Sequence, residues 1–210
     1  VGPKNDVLHL RLPGDSKHEL SCDLLAYRCA QVPAMTPDRY WLASPDGRQA
    51  VFVREHNLWL RDLRSGAERA LTHDGEAHFG YGELPDFALH AVQTQQGQWK
   101  VPPFALSWSP DGKRLFGTRY DERKVEPYPM VAMAPERGFR PQVHYIRLGL
   151  LGDREAARDE WYSVDVERGA MRSIRLPQGW NGAIEADVLG WSPDNRRAYA
   201  VTARYDHPAR

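Results

Sequence analysis

Short apolar runs alternate with polar turn segments along the 210 residues of the chain. Three turns share one pattern, Ser-Pro-Asp followed by Gly or Asn and a basic residue, at residues 43–48, 108–113 and 191–196. Proline fixes φ, aspartate bonds to its own backbone two residues on, and Gly or Asn accepts a positive φ. Apolar or aromatic residues precede each turn and β-prone residues follow it. Each copy therefore predicts a strand, a tight turn and a second strand.

A second repeated turn follows the first. Residues 59–66 and 162–169 both have an aromatic residue, an aspartate three positions later and a glycine four positions after that, followed by another short strand. A degenerate copy without the glycine contains Asp23. Two hairpins in series make a four-stranded antiparallel unit, the blade of a β-propeller. We therefore predict an all-β partial propeller of about three four-stranded antiparallel blades with one long insertion.

The spacing of the two turns predicts the blade boundaries. Ser44 and Asp62 are 18 residues apart, whereas Ser109 and Asp165 are 56 apart, so an insertion of 38 residues (56 less 18) is expected at about 124–158. Counting 18 back from Asp23 reaches Asn5, so the first blade is expected to lack both its opening turn and its innermost strand. We expect a partial first blade at 1–34, a second at 35–76, a connector at 77–103, a third at 104–178 and the start of a fourth at 179–210.

Composition and charge exclude several classes of protein. With 28 basic and 28 acidic residues the chain has no net charge, which argues against nucleic acid or an anionic membrane as a partner. No apolar run approaches about 18 residues and no leader pattern opens the chain, so neither a transmembrane helix nor a signal peptide is predicted. The chain begins at Val1 without an initiator Met, which suggests a piece of something longer. The compartment is therefore left unknown, cytoplasmic or periplasmic, with a slight preference for cytoplasmic.

The two cysteines, Cys22 and Cys29, are too few for a disulfide scaffold and lack the paired spacing of a zinc site. We expect two free, half-buried thiols on one hairpin. The alternative, a cross-strand disulfide, would imply an oxidising compartment.

Sequence motifs for catalysis or cofactor binding are missing. No serine lies in Gly-x-Ser-x-Gly, and the chain has no P-loop, dinucleotide fingerprint, His-Glu-x-x-His or EF-hand loop. We therefore expect no catalytic residue, no metal site and no cofactor in this chain.

The connector between the second and third blades is the best place for binding residues. It lacks clear alternation and carries aromatic and charged side chains, among them Glu83, Asp86, Phe87 and His90. Excursions of this kind lie at the rims of propeller blades and line one end of the central channel. The alternative is an ordered connector filled by its own aromatic side chains. The insertion, with basic residues in its middle, would cap the channel, contact another domain or form a solvated hairpin.

Several segments also follow one order along the chain: Asn-Leu-Trp-Leu at 57–60, Arg-Ala-Leu-Thr-His-Asp-Gly-Glu at 69–76, Tyr-Gly-Glu-Leu-Pro-Asp-Phe at 81–87, Ala-Leu-Ser-Trp-Ser-Pro-Asp-Gly at 105–112, Pro-Tyr-Pro at 127–129 and Arg-Pro-Gln-Val at 140–143. This ordered set, over about residues 20 to 205, resembles the N-terminal β-propeller of dipeptidyl peptidase IV-like members of the prolyl oligopeptidase family. Ser-Pro-Asp-Gly alone occurs in many bacterial propellers, whereas the ordered set is much more specific.

The resemblance implies an eight-bladed propeller stacked on a C-terminal α/β-hydrolase domain that holds the catalytic Ser, Asp and His. It makes this chain a non-catalytic, substrate-gating and interaction fragment of a bacterial serine peptidase that hydrolyses peptides. The alternative is a non-enzymatic, protein-binding propeller scaffold. The expected partners are the hydrolase domain and peptide substrates. Further copies of this chain are also expected as partners, because a partial ring exposes unpaired strand edges.

In the family, an Asp-Trp-x-Tyr-Glu-Glu-Glu stretch supplies two carboxylates that hold the free α-amine of the peptide. Here Asp86 and an aromatic residue at Phe87 match, but the paired acids fall on Ala91 and Val92. Methyl groups cannot make charge-assisted bonds to an ammonium, so dipeptide trimming is not expected of the parent unless a nearby acid such as Glu83 substitutes. The candidate substrate-binding residues are Glu83, Asp86, Phe87, His90 and Arg11, the last of which matches the family's amine-side arginine only approximately.

Overall fold

The computed structural model describes residues 6–10, 17–34, 38, 40–87, 92–93, 100–135, 138–176 and 183–204, and gives only the backbone for 183–188 and 201–204. Within these residues the chain forms fifteen strands, and every strand pairing is antiparallel. The strands are β1 (Val7–Leu10), β2 (His18–Asp23), β3 (Arg28–Pro33), β4 (Leu42–Ala43), β5 (Gln49–Arg54), β6 (Asn57–Asp62), β7 (Glu68–Ala70), β8 (Leu106–Trp108), β9 (Arg114–Asp121), β10 (Pro127–Ala132), β11 (Gln142–Arg147), β12 (Arg158–Asp165), β13 (Ala170–Ile174), β14 (Ala183–Trp191) and β15 (Ala198–Arg204).

The strands form four successive sheets and one separate hairpin. The first sheet has the order β1-β2-β3, the second β4-β5-β6-β7 and the third β8-β9-β12-β13, while β14 pairs with β15. The pair β10-β11 interrupts the third sheet between β9 and β12. The predicted all-β architecture of four-stranded antiparallel units with one long insertion is confirmed.

The three Ser-Pro-Asp turns have the same internal bonding. In each, the serine hydroxyl donates to the aspartate carboxylate at 2.6 Å and accepts a backbone N–H from the residue five positions on. The hydroxyl bond also lowers the pKa of Asp46 and of Asp194. The residue after the aspartate has a positive φ in every copy, 67° at Gly47, 67° at Gly112 and 60° at Asn195. The sequence pattern therefore corresponds to one hydrogen-bonded turn used three times.

The second repeated turn extends to the degenerate copy. The carboxylates of Asp62, Asp165 and Asp23 each accept backbone N–H bonds from residues two or three positions on. Four residues after the aspartate, Gly66 and Gly169 have φ of 76° and 66°, and Tyr27 has φ of 52° in the copy that lacks glycine. A tyrosine therefore occupies a left-handed conformation that favours glycine.

Tryptophan side chains connect consecutive sheets. Trp108, directly before the second Ser-Pro-Asp turn, donates from Nε1 to the carbonyl oxygen of Leu42 in the second sheet. Trp191 occupies the same place in the third turn and donates to the carbonyl oxygen of Ser107, which corresponds to Leu42 in position. Ala43 stands at this place in the first turn. The connection is thus repeated at each seam where the tryptophan is present.

The main core lies between the second and third sheets. Its members are the buried residues Val51, Leu58, Leu60, Leu71, Tyr81, Trp108, Leu115, Tyr162, Val164 and Val166. Burying a side chain of this size stabilises the fold by about 1.5–3 kcal/mol. The core thus includes strands from both four-stranded sheets and the start of the connector, at Tyr81.

The prediction of two free cysteine thiols is wrong. Cys22 on β2 and Cys29 on β3 are directly opposite in the register and form a disulfide. The physical reason is the four-residue turn between Asp23 and Arg28, which makes the two cysteines cross-strand partners with adjacent side chains on one face.

Candidate functional site

A cleft of about 820 Å³ opens where the turn between β5 and β6 meets the connector and β11. Its charged and aromatic lining residues are Asp38, Tyr40, Trp41, Phe52, His56, His78, Glu83, Asp86, Lys100 and Tyr145. Three carboxylates and one lysine therefore face this space among the residues that the structure describes. The connector was predicted to carry the site, and it supplies two of these carboxylates.

Glu83 is held at the cleft by a histidine. The Nδ1 atom of His56 lies 3.0 and 3.1 Å from the two carboxylate oxygens of Glu83. The carbonyl oxygen of His56 accepts the backbone N–H of Tyr81, so the β5–β6 turn and the connector are joined twice. A Cβ on Gly80 would lie 2.0 Å from Oε2 of Glu83. Glycine at position 80 is therefore required for the carboxylate to lie where it does.

Asp86 is held by β11 and by the connector itself. Its Oδ2 accepts the backbone N–H of Arg147 at 2.9 Å and lies 3.4 Å from Nδ1 of His78. The Asp86 side chain is 14% exposed, compared with 35% for Glu83. Both predicted acids thus reach the same cleft, and Asp86 is the more deeply placed.

Glu122, directly after β9, is a site residue that the sequence did not indicate. It is 3% exposed, and its two carboxylate oxygens lie 3.1 and 3.0 Å from the backbone nitrogen of Asp86, which donates to them. Burial, with a smaller contribution from the nearby Asp86 carboxylate, raises the pKa of the Glu122 carboxyl to about 8. Glu122 lies in the charged run 121–124, which has the pattern of a solvated turn, so no signal in the sequence distinguishes it.

Phe87 packs away from the cleft. Its ring makes an edge-to-face contact with Tyr120 of β9, with ring centroids 5.4 Å apart. Phe87 therefore anchors the connector to the third sheet and is not among the residues that line the cleft. The other two predicted residues, His90 and Arg11, lie outside the described residues.

The beginning of the connector is fixed by a buried arginine. Arg119 on β9 forms ion pairs with Asp74 and Glu160 and stacks on the rings of Phe79 and Tyr81, at 3.6 and 4.2 Å from their centroids. The Tyr81 hydroxyl donates to Asp74 at 2.8 Å. These contacts bind the connector to both neighbouring sheets just before Glu83.

One group of donors has the composition of a metal site. The ligand atoms of His78, Asp86 and Glu122 lie within 4.8 Å of one another. Backbone N–H groups already donate to both carboxylates, so hydrogen bonding accounts for the arrangement. We assign no metal to it, and the expectation of no metal stays a prediction.

Comparison with known proteins identifies the family. Residues 17–205 match the dipeptidyl peptidase IV N-terminal region. The chain therefore belongs to this family, as the ordered sequence segments predicted. No helix in the part of the chain that the structure describes is long and apolar enough to cross a membrane.

Curated relatives with similar sequences are fungal proteins named probable dipeptidyl-aminopeptidase B. The protein from Penicillium rubens is 36% identical over 146 residues, which is 64% of this chain and 15% of the relative. The protein from Arthroderma gypseum is 29% identical over 180 residues, 75% of this chain and 18% of the relative. This chain thus spans less than a fifth of the length of these relatives.

Two solved structures share the fold. Porphyromonas gingivalis dipeptidyl peptidase 4 has a TM-score of 0.57 at 19% identity, with 94% of this chain and 27% of that chain covered. A putative dipeptidyl aminopeptidase IV from Bacteroides ovatus has a TM-score of 0.50 at 15% identity, with 95% and 25% covered. At these identities the likeness concerns the fold alone.

Proposed function

We propose that this chain is the non-catalytic propeller part of a peptide-hydrolysing serine peptidase, and that its cleft binds and selects peptide substrates. The observation that carries the proposal is the convergence of Glu83 and Asp86 on one cleft in a member of this family. The chemistry of hydrolysis would be performed by a Ser-His-Asp triad in an α/β-hydrolase domain outside this chain.

The charge of the cleft favours a cationic group on the substrate. Asp38, Glu83 and Asp86 face the space. Among the described lining residues, Lys100 is the single lysine or arginine. Several carboxylates on low-dielectric walls concentrate positive ligands. Because Ala91 and Val92 replace the family's paired acids, Glu83 and Asp86 are the groups that would hold a peptide ammonium here.

Aromatic side chains on the same cleft provide apolar contact for the rest of the peptide. Trp41 stacks on Phe52 with centroids 5.2 Å apart, and Tyr145 joins the lining from β11. A mainly apolar lining with a few placed polar groups is typical of ligand sites. The insertion hairpin thereby contributes a side chain to the proposed peptide-binding cleft.

Calorimetric titration of the 210-residue chain with a free-amine dipeptide amide and its N-acetyl form at pH 6.5 tests the cleft. We expect the free amine to bind at least about tenfold more tightly, because a charge-assisted pair of bonds is lost on acetylation. Glu83→Gln and Asp86→Asn should remove that difference, whereas Glu167→Gln, at an exposed turn remote in sequence from the cleft-lining residues, should leave it unchanged. Equal affinity for the two peptides would contradict amine recognition.

The reading frame of the whole protein tests the parent activity. It should encode Gly-x-Ser-x-Gly followed by Asp and then His downstream of this chain. Labelling of the present chain by a serine-directed fluorophosphonate should not occur, and stoichiometric labelling would contradict a non-catalytic role.

A protein-binding role is the second candidate, and the β10–β11 hairpin favours it. Val131, Met133, Phe139 and Val143 are large apolar side chains that are more than half exposed on or beside this hairpin. Exposed apolar patches often mark interaction surfaces. Light scattering at about 10 to 100 μM should show a dimer or larger assembly if copies of the chain associate. A 24 kDa monomer would exclude this self-association.

The disulfide supports an oxidising compartment for the protein. Cross-strand pairs such as Cys22–Cys29 persist in the periplasm or outside the cell and are rare in the cytosol. This favours the periplasmic alternative over the cytoplasmic one. Cell fractionation, which shows whether the parent protein is in the periplasm or in the cytoplasm, is the corresponding test.

A further inference from the structure

Glu122 fixes the backbone of the connector at Asp86. Its carboxylate accepts the backbone N–H groups of Asp86 and of Phe87, and its own backbone N–H donates to the carbonyl oxygen of His78 at 2.9 Å. One residue directly after β9 thus fixes both ends of the connector segment 78–87. Glu122, Asp86, His78 and Glu83 also line one small cavity of about 50 Å³ next to the main cleft.

The charged groups that face Glu122 do not neutralise it. From the connector, Asp86 and His78 face it, and Glu83 shares its cavity. From β11, the backbone N–H of Arg147 donates to Asp86, and its guanidinium donates to the carbonyl oxygen of Val125 at 2.6 Å. The positive charge of Arg147 lowers the pKa of Glu122, but by less than burial raises it. From β9 the neighbour is the Tyr120 ring. No ion pair to Glu122 is present among the described residues. Its carboxylate is buried, and the neighbouring acidic group is the carboxylate of Asp86.

We propose that Glu122 is a positioning residue that links cation binding in the cleft to the release of its proton. While Glu122 is protonated, the Glu122–Asp86 pair carries one negative charge. Ionisation adds a second charge in a water-poor place, and a cation bound at Asp86 stabilises both. The inference rests on the proposed function, because it takes Glu83 and Asp86 as the cation site.

The linkage acts in both directions. If ionised Glu122 raises cation affinity by some factor, a bound cation favours ionised Glu122 by the same factor. The O–H bond of the carboxyl breaks and the proton passes to solvent, so no other reactant is involved. Because burial raises the pKa of Glu122 to about 8, affinity should rise between about pH 7 and pH 9. Acid conditions would then weaken the hold of the cleft on its ligand.

The test uses a dipeptide amide capped with trimethylglycine, whose positive charge is fixed across this range. Its dissociation constant for the 210-residue chain is measured by calorimetry from pH 6.5 to pH 9.5. For the wild type we expect affinity to increase by about tenfold on the alkaline side. For Glu122→Gln, which keeps the shape and one acceptor oxygen, we expect a constant affinity. Glu167→Gln is the matched control and should behave as the wild type.

A titration of the wild type needs no folded variant. Carbon-13 NMR of the glutamate side-chain carboxyl groups should show Glu122 ionising at a lower pH when the capped dipeptide is bound. An unchanged Glu122 titration on binding, or the same pH dependence in Glu122→Gln as in the wild type, would overturn the linkage while the cleft remained a cation site. Failure of the dipeptide to bind at any pH would overturn the proposed function and the linkage together.

Discussion

The indole Nε1 of Trp108 donates to the carbonyl oxygen of Leu42 at 3.1 Å, across the seam between the second and third sheets. Trp108 is also part of the main core. The same side chain therefore supplies apolar contact and satisfies a backbone acceptor of the neighbouring innermost strand.

Trp108→Phe should lower the free energy of unfolding by about 2 kcal/mol, since the hydrogen bond and part of the ring are lost together. Urea denaturation measures the change. Trp191→Phe is the comparison, because its bond to Ser107 is longer, at 3.4 Å, and its ring is only half-buried. We expect a smaller loss there. An equal loss at both seams would mean that the inter-sheet bond, and not burial, dominates.

The free energy of unfolding should depend on pH because the carboxyl of Glu122 is buried. The folded-state pKa is raised to about 8 from an ordinary value of 4.5, so the folded protein binds the proton more tightly than the unfolded chain. Its contribution is fully present below about pH 4.5 and is lost as pH rises to about 8, by at most roughly 5 kcal/mol. Denaturation of the wild type and of Glu122→Gln at several pH values from 5 to 8.5 tests this. Parallel pH profiles would contradict it.

Tyr27→Gly should stabilise the first sheet. Tyr27 has φ of 52° where the other copies of the turn have glycine, and its side chain is almost fully exposed, so little packing is lost. We expect a gain of about 1 kcal/mol from released backbone strain. Gly66→Ala, at the equivalent position, should cost a similar amount. Thermal unfolding of the two variants, with Tyr27→Ala to isolate removal of the ring, provides the measurement.

Gly80→Ala should weaken ligand binding in the cleft with little effect on the free energy of unfolding. The added Cβ would meet the end of the flexible Glu83 side chain, which can move, and Gly80 does not have a positive φ. Displacing Glu83 breaks its contact with His56. We expect several-fold weaker binding of the free-amine dipeptide with a change in unfolding free energy below about 1 kcal/mol. A large loss of stability would show that the backbone itself is constrained there.

Removing the disulfide should loosen the first sheet selectively. The Cys22–Cys29 bond closes a short loop between β2 and β3, and losing it costs roughly 2–3 kcal/mol. Cys22→Ser with Cys29→Ser should increase proteolytic cleavage within residues 17–34 and leave the second sheet protected. Mass spectrometry of the unreduced wild type should find the two cysteines joined, and free thiols there would contradict the pairing.

The fold was predictable because its turns repeat. Ser44, Ser109 and Ser192 each make the same two bonds, and residue patterns at fixed offsets record that chemistry directly. The insertion also followed from spacing, since one interval was longer than its counterpart. Local rules of this kind are visible in one sequence.

The candidate site was predictable only in part. Glu83 and Asp86 were proposed as binding residues from their place in the connector, and the structure brings both to one cleft. Glu122 contacts this segment through tertiary contacts 36 positions away in the chain. Phe87 packs on Tyr120 of the third sheet. A local sequence motif cannot specify this contact, because it depends on how the connector lies against that sheet. The disulfide was missed for a related reason: the thiols face each other only once the turn between Asp23 and Arg28 sets the register.

The pairing of Asp121 with Arg158 joins two strands of the third sheet that the β10–β11 hairpin separates in the chain. β5 can pair with β6 as soon as a two-residue turn has emerged, whereas β9 must wait for β12 until the whole β10–β11 hairpin has been made. Closing the longer loop costs little free energy at equilibrium but delays the contact. We therefore expect the second sheet to form before the third during synthesis, with the edge of β9 left unpaired until Arg158 has been made.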